Sequence, residues 1–329
     1  MSKLSIARIA GLDLPISRLF FGTAVAPIWA DEPAAPVLLD NVLKAGVNAF
    51  DCARSYGYAE KVLGRWMESR GCRDRVIVLT KCGDIQDGVV HIDRRVILDQ
   101  LSRSLEALQI EQIDIYLLHR DDPNTPVEEM IDTMNEAKEA GKFRIFGASN
   151  WTRDRIEKAN HYAKSRGLAG FTVSSPSFSL AHPLCDMFGG DCITLSGQEH
   201  AADRAWYASS QMPVIAYSSL GRGFFSGRFK AGDYEKARTI LDIYAQKGYL
   251  HEENMERLRR AELLAKRLGT SVSEVAMRYV FSSPMNIFAV VSTTSPDRIR
   301  MNQRAVSCPL TPEEVTFLEN RLEEGGETS

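Results

Sequence analysis

Asp51, Tyr56, Lys81 and His119 are the residue types that a proton donor to a carbonyl oxygen requires. A tyrosine hydroxyl, with an ordinary pKa of about 10, is a poor acid near neutrality. A nearby ammonium favours the phenolate and makes the proton easier to lose. Lys81 is the candidate cation, and Asp51 the anion that would keep it charged and oriented. His119 could hydrogen-bond the carbonyl oxygen and fix it near Tyr56. No nucleophile or metal is needed for such a step, so the electrons must come from a cofactor.

Those four residues must be brought together by the elements that carry them. Short apolar runs bounded by polar residues occur at 18–22, 47–50, 75–80, 113–119, 143–149, 171–175, 212–218 and 286–292. Amphipathic helical patterns lie between them. "DRRVILDQLSRSLEALQ" places Val96, Leu98, Leu101, Leu105 and Leu108 near helical spacing, "TPVEEMIDTMNEAKEAGK" ends on a glycine stop, and "TRDRIEKANHYAKSRG" runs from a Thr152 cap to Gly167. Steps of roughly 30 to 40 residues suit parallel strands joined by right-handed helical crossovers. Eight such units predict an α/β fold, a (β/α)8 TIM barrel, typically about 250 residues plus insertions. The runner-up, a doubly wound sheet, would carry GxGxxG after its first strand, and "FGTAVAPIWAD" lacks it.

Around the barrel, residues 1–17 read as an N-terminal β-hairpin capping the barrel bottom, and about 176–212 as a long loop after strand six. Two further helices are expected after Tyr217, and about 293–329 forms a C-terminal helical segment. No linker divides 1–329 into two domains. Asp51, Lys81, His119, Ser149, Asn150, Ser175, Tyr217, Ser218, Ser292 and Thr293 all fall at strand ends, on the rim where barrels of this kind build active sites.

These residues carry a resemblance to the aldo-keto reductase superfamily over nearly the whole chain. "FDCARSYGYAEKVLG" resembles that family's Asp and Tyr motif, "LTKCG" its lysine segment and "DIYLLH" its histidine segment. "GKFRIFGASN" resembles the segment that holds the nicotinamide amide, and "IAYSSLGRGFFSG" the stacking tyrosine with its pyrophosphate loop. The resemblance implies hydride transfer from NADPH to an aldehyde or ketone, with Tyr56 as general acid, Lys81 and Asp51 tuning it, and His119 orienting the substrate. It implies that Ser149, Asn150 and Ser175 lie at the carboxamide and that Tyr217 stacks on the nicotinamide ring. Ser218, Leu220, Gly221 and Gly223 would form the pyrophosphate loop, and Ser292, Thr293, Thr294, Arg298 and Asn302 the adenosine-phosphate end. Ser174 and Ser175 stand where the family often has glutamine, and Ser292 where some relatives place a lysine for the 2′-phosphate. Arg298 favours NADPH, with NADH as the alternative.

Other residues keep two readings each. Arg298 is a phosphate ligand or a solvated helix arginine. Trp29 walls a substrate pocket or plugs its loop. Arg120, with Arg54 and Asp121, contacts a polar substrate or is surface charge; the first reading tilts towards sugar-derived carbonyls. His182, Cys185, Cys192 and His200 could bind zinc, but their spacing matches no common pattern, and a loop with incidental thiols is the expectation. A net charge of −3 gives no reason to expect a nucleic-acid or anionic-membrane partner. No signal peptide or membrane-length run is present, and six scattered cysteines suit a reducing cytoplasm. A cofactor-binding regulatory subunit of the same fold, or a barrel lyase or isomerase acting on sugars, remains the alternative to a reductase.

Overall fold

The computed structural model describes residues 6–320 except 87 and 190. Strands β1 (Ile6–Ala7) and β2 (Ile16–Ser17) form an antiparallel hairpin; residues 1–5 of the expected hairpin lie outside the described residues. Eight more strands follow: β3 (Leu19–Gly22), β4 (Ala49–Asp51), β5 (Ile77–Cys82), β6 (Ile113–Leu118), β7 (Phe143–Ser149), β8 (Val173–Ser175), β9 (Val214–Ala216) and β10 (Ile287–Val291). They close into a barrel in chain order, with every neighbouring pair parallel and β10 paired to β3. The fold is the (β/α)8 barrel.

The period of two along each strand divides its side chains between two cores. Phe20, Ala49, Ile77, Ile115, Ile215 and Phe288 belong to the barrel interior, where Ile9, Leu12 and Ile16 of the hairpin region join them from below. Burying each such large aliphatic side chain is worth about 1.5–3 kcal/mol. Phe21, Phe50, Val78, Tyr116 and Phe146, of opposite parity, face the helices. Gly11 makes the plug fit: its φ is +87°, and a Cβ there would lie 2.5 Å from Ile145 Cγ2. Continuing the inward parity past the apolar interior gives Asp51 after Ala49, Lys81 after Leu79, His119 after Leu117 and Tyr217 after Ile215. The polar rim is thus the upper end of the same inward set.

The barrel seam is stitched at the bottom. Arg18 Nη1 donates to Ile287 O at 2.7 Å and to Asn286 Oδ1 at 3.1 Å, while Ser17 N donates to Asn48 Oδ1 at 2.8 Å. The starts of the first, second and last barrel strands are therefore tied to one turn.

Two helix readings need correction. On the helix Arg94–Leu108, capped by Asp93, the buried set is Ile97, Leu101, Ser104 and Leu108. Val96, Leu98 and Leu105 are only part-buried, because spacings of four, three and four from Ile97 follow the helix surface more closely. Between Tyr217 and residue 293 there are four helices among the described residues, where two were expected. The additional ones include the seven-residue Tyr234–Ile240 and Ile243–Tyr249, too short for a clear apolar period but capped by the Asp233 and Asp242 side chains. The excursion after β8 ends in the helix Ala201–Ser210, which is the crossover to β9. The segment from 293 carries the helices Pro296–Val306 and Pro312–Glu319, and 321–329 lie outside the described residues.

Candidate active site

A cavity of about 590 Å³ opens over the polar rim. At its base Lys81 Nζ lies 2.5 Å from Asp51 Oδ1, 2.8 Å from Cys52 O and 3.5 Å from Tyr56 Oη. Local backbone contacts set these positions. Cys52 N bonds Leu79 O and Arg54 N bonds Lys81 O, which pins the start of the loop to β5. Tyr56 N then bonds Ala53 O, and the tyrosine carbonyl accepts from Ala59 N at the start of the helix Ala59–Arg70. Gly57, at φ +55°, lets this turn pass Trp29 O, which a Cβ would approach to 2.6 Å. The Tyr56 and His119 rings meet edge to face with centroids 5.9 Å apart. All four residues of the proton-donor set line the one cavity.

Burial sets the charge states. It opposes the charge on Lys81, but the Asp51 carboxylate and Tyr56 outweigh it, and the lysine ends above its ordinary pKa, an ammonium near neutrality. Burial also lifts the Asp51 carboxyl against the pull of Lys81. Tyr56 departs from the sequence expectation. Burial raises it to about 12, and Lys81 pulls the other way without winning. The phenol is therefore protonated, the state a donor needs, with a cation 3.5 Å away to favour the phenolate it would leave. His119 is pushed down to about 3 by burial and by the Lys81 charge, with Asp84 opposing, and is neutral.

This last shift has a measurable consequence. The folded value lies below the unfolded value of about 6.5, so His119 contributes stability above that pH and loses it as the pH falls towards 3. Between pH 6 and 4.5 the wild type should lose stability more steeply than His119→Gln, by up to about 1.4 kcal/mol per pH unit. Thermal melts across that range check it, and parallel slopes would remove His119 as a buried neutral imidazole.

At the other end of the cavity the loop after β9 twists through left-handed conformations at Ser218, Gly221, Arg222 and Gly223. The amides of Ser219, Leu220 and Arg222 make no hydrogen bond among the described residues, whereas those of Gly221, Gly223 and Phe224 close the turns. Arg298 is exposed and unpaired among the described residues, on the first turn of Pro296–Val306. Asn302 Oδ1, on the same helix, is buried without a partner. Ser149, Asn150, Ser175 and Tyr217 form a bonded group: Ser149 Oγ donates to Ser175 O at 2.9 Å, Asn150 Nδ2 to Ser149 Oγ at 3.2 Å, and Tyr217 Oη to Asn150 Oδ1 at 2.6 Å. Ser218, Leu220, Gly223, Ser292, Thr293 and Thr294 also line the cavity.

Two expected site residues are not brought to it. Trp29 is 48% exposed, ends the short helix Ala26–Trp29 and offers its carbonyl to Tyr58 N. Gly221 is buried behind the loop, where a Cβ would sit 2.8 Å from Ala181 Cβ. Arg120, by contrast, is 6% exposed and lines the cavity beside His119. Cavity-lining residues that sequence reasoning did not place there include Asp84, Arg222 and Arg228, and Cys192, which it weighed only as a zinc ligand. Asp84 stood three residues after Lys81, and both arginines stood in the glycine-rich loop; those placements were the only signal. His182, Cys185, Cys192 and His200 do not converge: His182 bonds Glu199 at 2.6 Å, His200 faces Asp203 at 3.5 Å, and Cys192 bonds Arg120 at 2.5 Å. Among the described residues no group of three or more His, Cys, Asp or Glu side chains could hold a metal ion. No described helix is long and apolar enough to cross a membrane.

The sequence matches the Aldo/keto reductase family over residues 18–323, and the chain belongs to that family. It is an oxidoreductase acting on carbonyl or alcohol groups. It is 28% identical over 296 residues to an aldo-keto reductase of Gibberella moniliformis, covering 86% of this chain and 82% of the relative. It is 27% identical over 320 residues to a probable voltage-gated potassium channel subunit beta of Oryza sativa subsp. japonica, covering 93% of each. A glycerol dehydrogenase from Gluconobacter oxydans shares the fold, with a TM-score of 0.77 at 21% identity over 99% of this chain and 100% of the other.

Proposed function

We propose that the chain is an NADPH-dependent carbonyl reductase acting on polar, sugar-like aldehydes or ketones, with Tyr56 as the general acid. The observation that carries the reading is the buried Asp51–Lys81–Tyr56 series at the base of the cavity. A nicotinamide cofactor, when bound, supplies the hydride. Tyr56 passes its proton to the carbonyl oxygen, Lys81 stabilises the phenolate, and Asp51 keeps Lys81 in place and charged. Neutral His119 holds the carbonyl oxygen by a hydrogen bond without competing for the role of acid.

The residues present fit such a cofactor. The free amides of Ser219, Leu220 and Arg222 offer donors to a pyrophosphate. The unpartnered Asn302 Oδ1 suits the exocyclic amine of adenine. Arg298 suits a 2′-phosphate, and Arg228, which lines the same cavity beside Gly223, offers a further cation. Ser149, Asn150 and Ser175 are the carboxamide ligands in this reading, and Tyr217 the stacking ring.

Titration with NADPH and NADH, followed by intrinsic fluorescence, tests the cofactor assignment. Arg298→Ala should weaken NADPH roughly five- to tenfold and NADH little; equal losses would take Arg298 off the phosphate. Adding aldehydes and following cofactor oxidation then tests turnover. The name of the rice relative raises a second reading, a cofactor-binding regulatory subunit. Binding of NADPH with no oxidation by any carbonyl compound would favour it.

A further inference from the structure

Beside the proton-donor set lies a second pair of opposite charges that the reductase chemistry does not use. Arg120 Nε donates to Asp84 Oδ1 at 3.2 Å and Nη1 to Cys192 Sγ at 2.5 Å. Arg120 Nη2 makes no hydrogen bond among the described residues, and Arg120 lines the cavity. Asp84 also lines it and is held from behind by the Ser55 hydroxyl at 2.7 Å and its neighbour's Ile85 N at 2.9 Å. Asp84 Oδ2 lies 3.4 Å from His119 Nδ1, which places the pair next to the ring assigned to the carbonyl oxygen.

We propose that Arg120 and Asp84 form a hydroxyl-recognition subsite, selecting neutral substrates that carry a hydroxyl group close to the reacting carbonyl. The inference rests on the reductase reading and names its substrate class. A hydroxyl both donates and accepts, so it uses the free Nη2 donor and a remaining Asp84 lone pair together. A carboxylate would meet attraction from the guanidinium and repulsion from the adjacent carboxylate at similar range, and would also lose its hydration. An unsubstituted alkyl chain would leave the Nη2 donor and the remaining Asp84 lone pair without a partner in a partly closed cavity. The balanced pair therefore discriminates in both directions, against apolar and against anionic carbonyl compounds. A lone arginine would do the opposite with anions.

The test is kcat/KM for DL-glyceraldehyde, propanal and glyoxylate with saturating NADPH, expressed as ratios to propanal. The wild type should prefer glyceraldehyde to propanal by about tenfold or more, with glyoxylate no better than propanal. Arg120→Met should collapse the glyceraldehyde ratio towards one. Asp84→Asn, which leaves the guanidinium unbalanced, should raise the glyoxylate ratio about tenfold. A wild-type ratio near one, a wild-type preference for glyoxylate, or an unchanged glyceraldehyde ratio in Arg120→Met would each overturn the subsite. So would an unmoved glyoxylate ratio in Asp84→Asn. Fluorescence titration with NADPH shows that each variant is folded, and Arg120→Gln replaces Arg120→Met if that protein fails to fold. If the wild type binds NADPH but reduces none of the three, the reductase reading falls, and the subsite with it; reduction of all three at equal efficiency sinks the subsite alone.

Discussion

Tyr56→Phe should reduce carbonyl compounds 10²- to 10⁴-fold more slowly than the wild type, the usual range for losing a positioned general acid. It should bind NADPH with unchanged affinity. The substitution removes one oxygen from the cavity base and leaves the ring, its edge contact with His119 and the whole phosphate end in place. The loss should therefore appear in kcat, with little change in cofactor Kd. Single-turnover rates with a pre-bound cofactor give the cleanest measurement. Equal rates for mutant and wild type would end the assignment of Tyr56 as the donor, and a parallel loss of cofactor binding would mean that the phenol is structural.

The largest effect on stability should come from Lys81→Met. Lys81 is 3% exposed and Asp51 5%, and the methionine would leave Asp51 as a buried carboxylate without its partner. Removing one member of a buried pair costs about 3–5 kcal/mol. Part of that returns when Asp51 takes up a proton, so the double variant Lys81→Met/Asp51→Asn should recover stability relative to the single one. Neither should recover activity, because Tyr56 then has no cation beside it. Urea unfolding of the three proteins checks the stability, and an unmoved midpoint for Lys81→Met would mean that the pair is hydrated rather than buried.

How much of this was legible in the sequence depends on the scale of the feature. The eight strands were readable because strands buried on both faces show as short continuous apolar runs, and the barrel follows from their regular spacing. Asp51, Lys81 and His119 were readable because each stands at the end of an apolar run, and Tyr56 because it follows Asp51 within one short loop. Asp84 was not, because it follows Gly83 in a turn, and only the folded loop brings it to His119 and Arg120. Trp29 read equally as a pocket wall or a loop plug; the turn at Gly57 draws its backbone to Tyr58 and leaves the ring on the surface, away from the cavity. The charge state of Tyr56 was hidden for another reason. Sequence names the cation beside it but cannot weigh that cation against the depth of burial.

The stitch at the barrel seam bears on how such a chain is made. Arg18 reaches Ile287 across 269 positions, and β3 cannot find its second neighbour until β10 exists. Loop closure over that distance carries a large entropic cost before any contact rewards it. On a ribosome, the segment from β3 to β9 would emerge as an open, curved sheet with two unpaired edges. The plug residues Ile9, Leu12 and Ile16 are synthesised first and can cover the apolar interior of that sheet while it waits. The hairpin can then shield the apolar inner face of the growing sheet as well as floor the finished barrel.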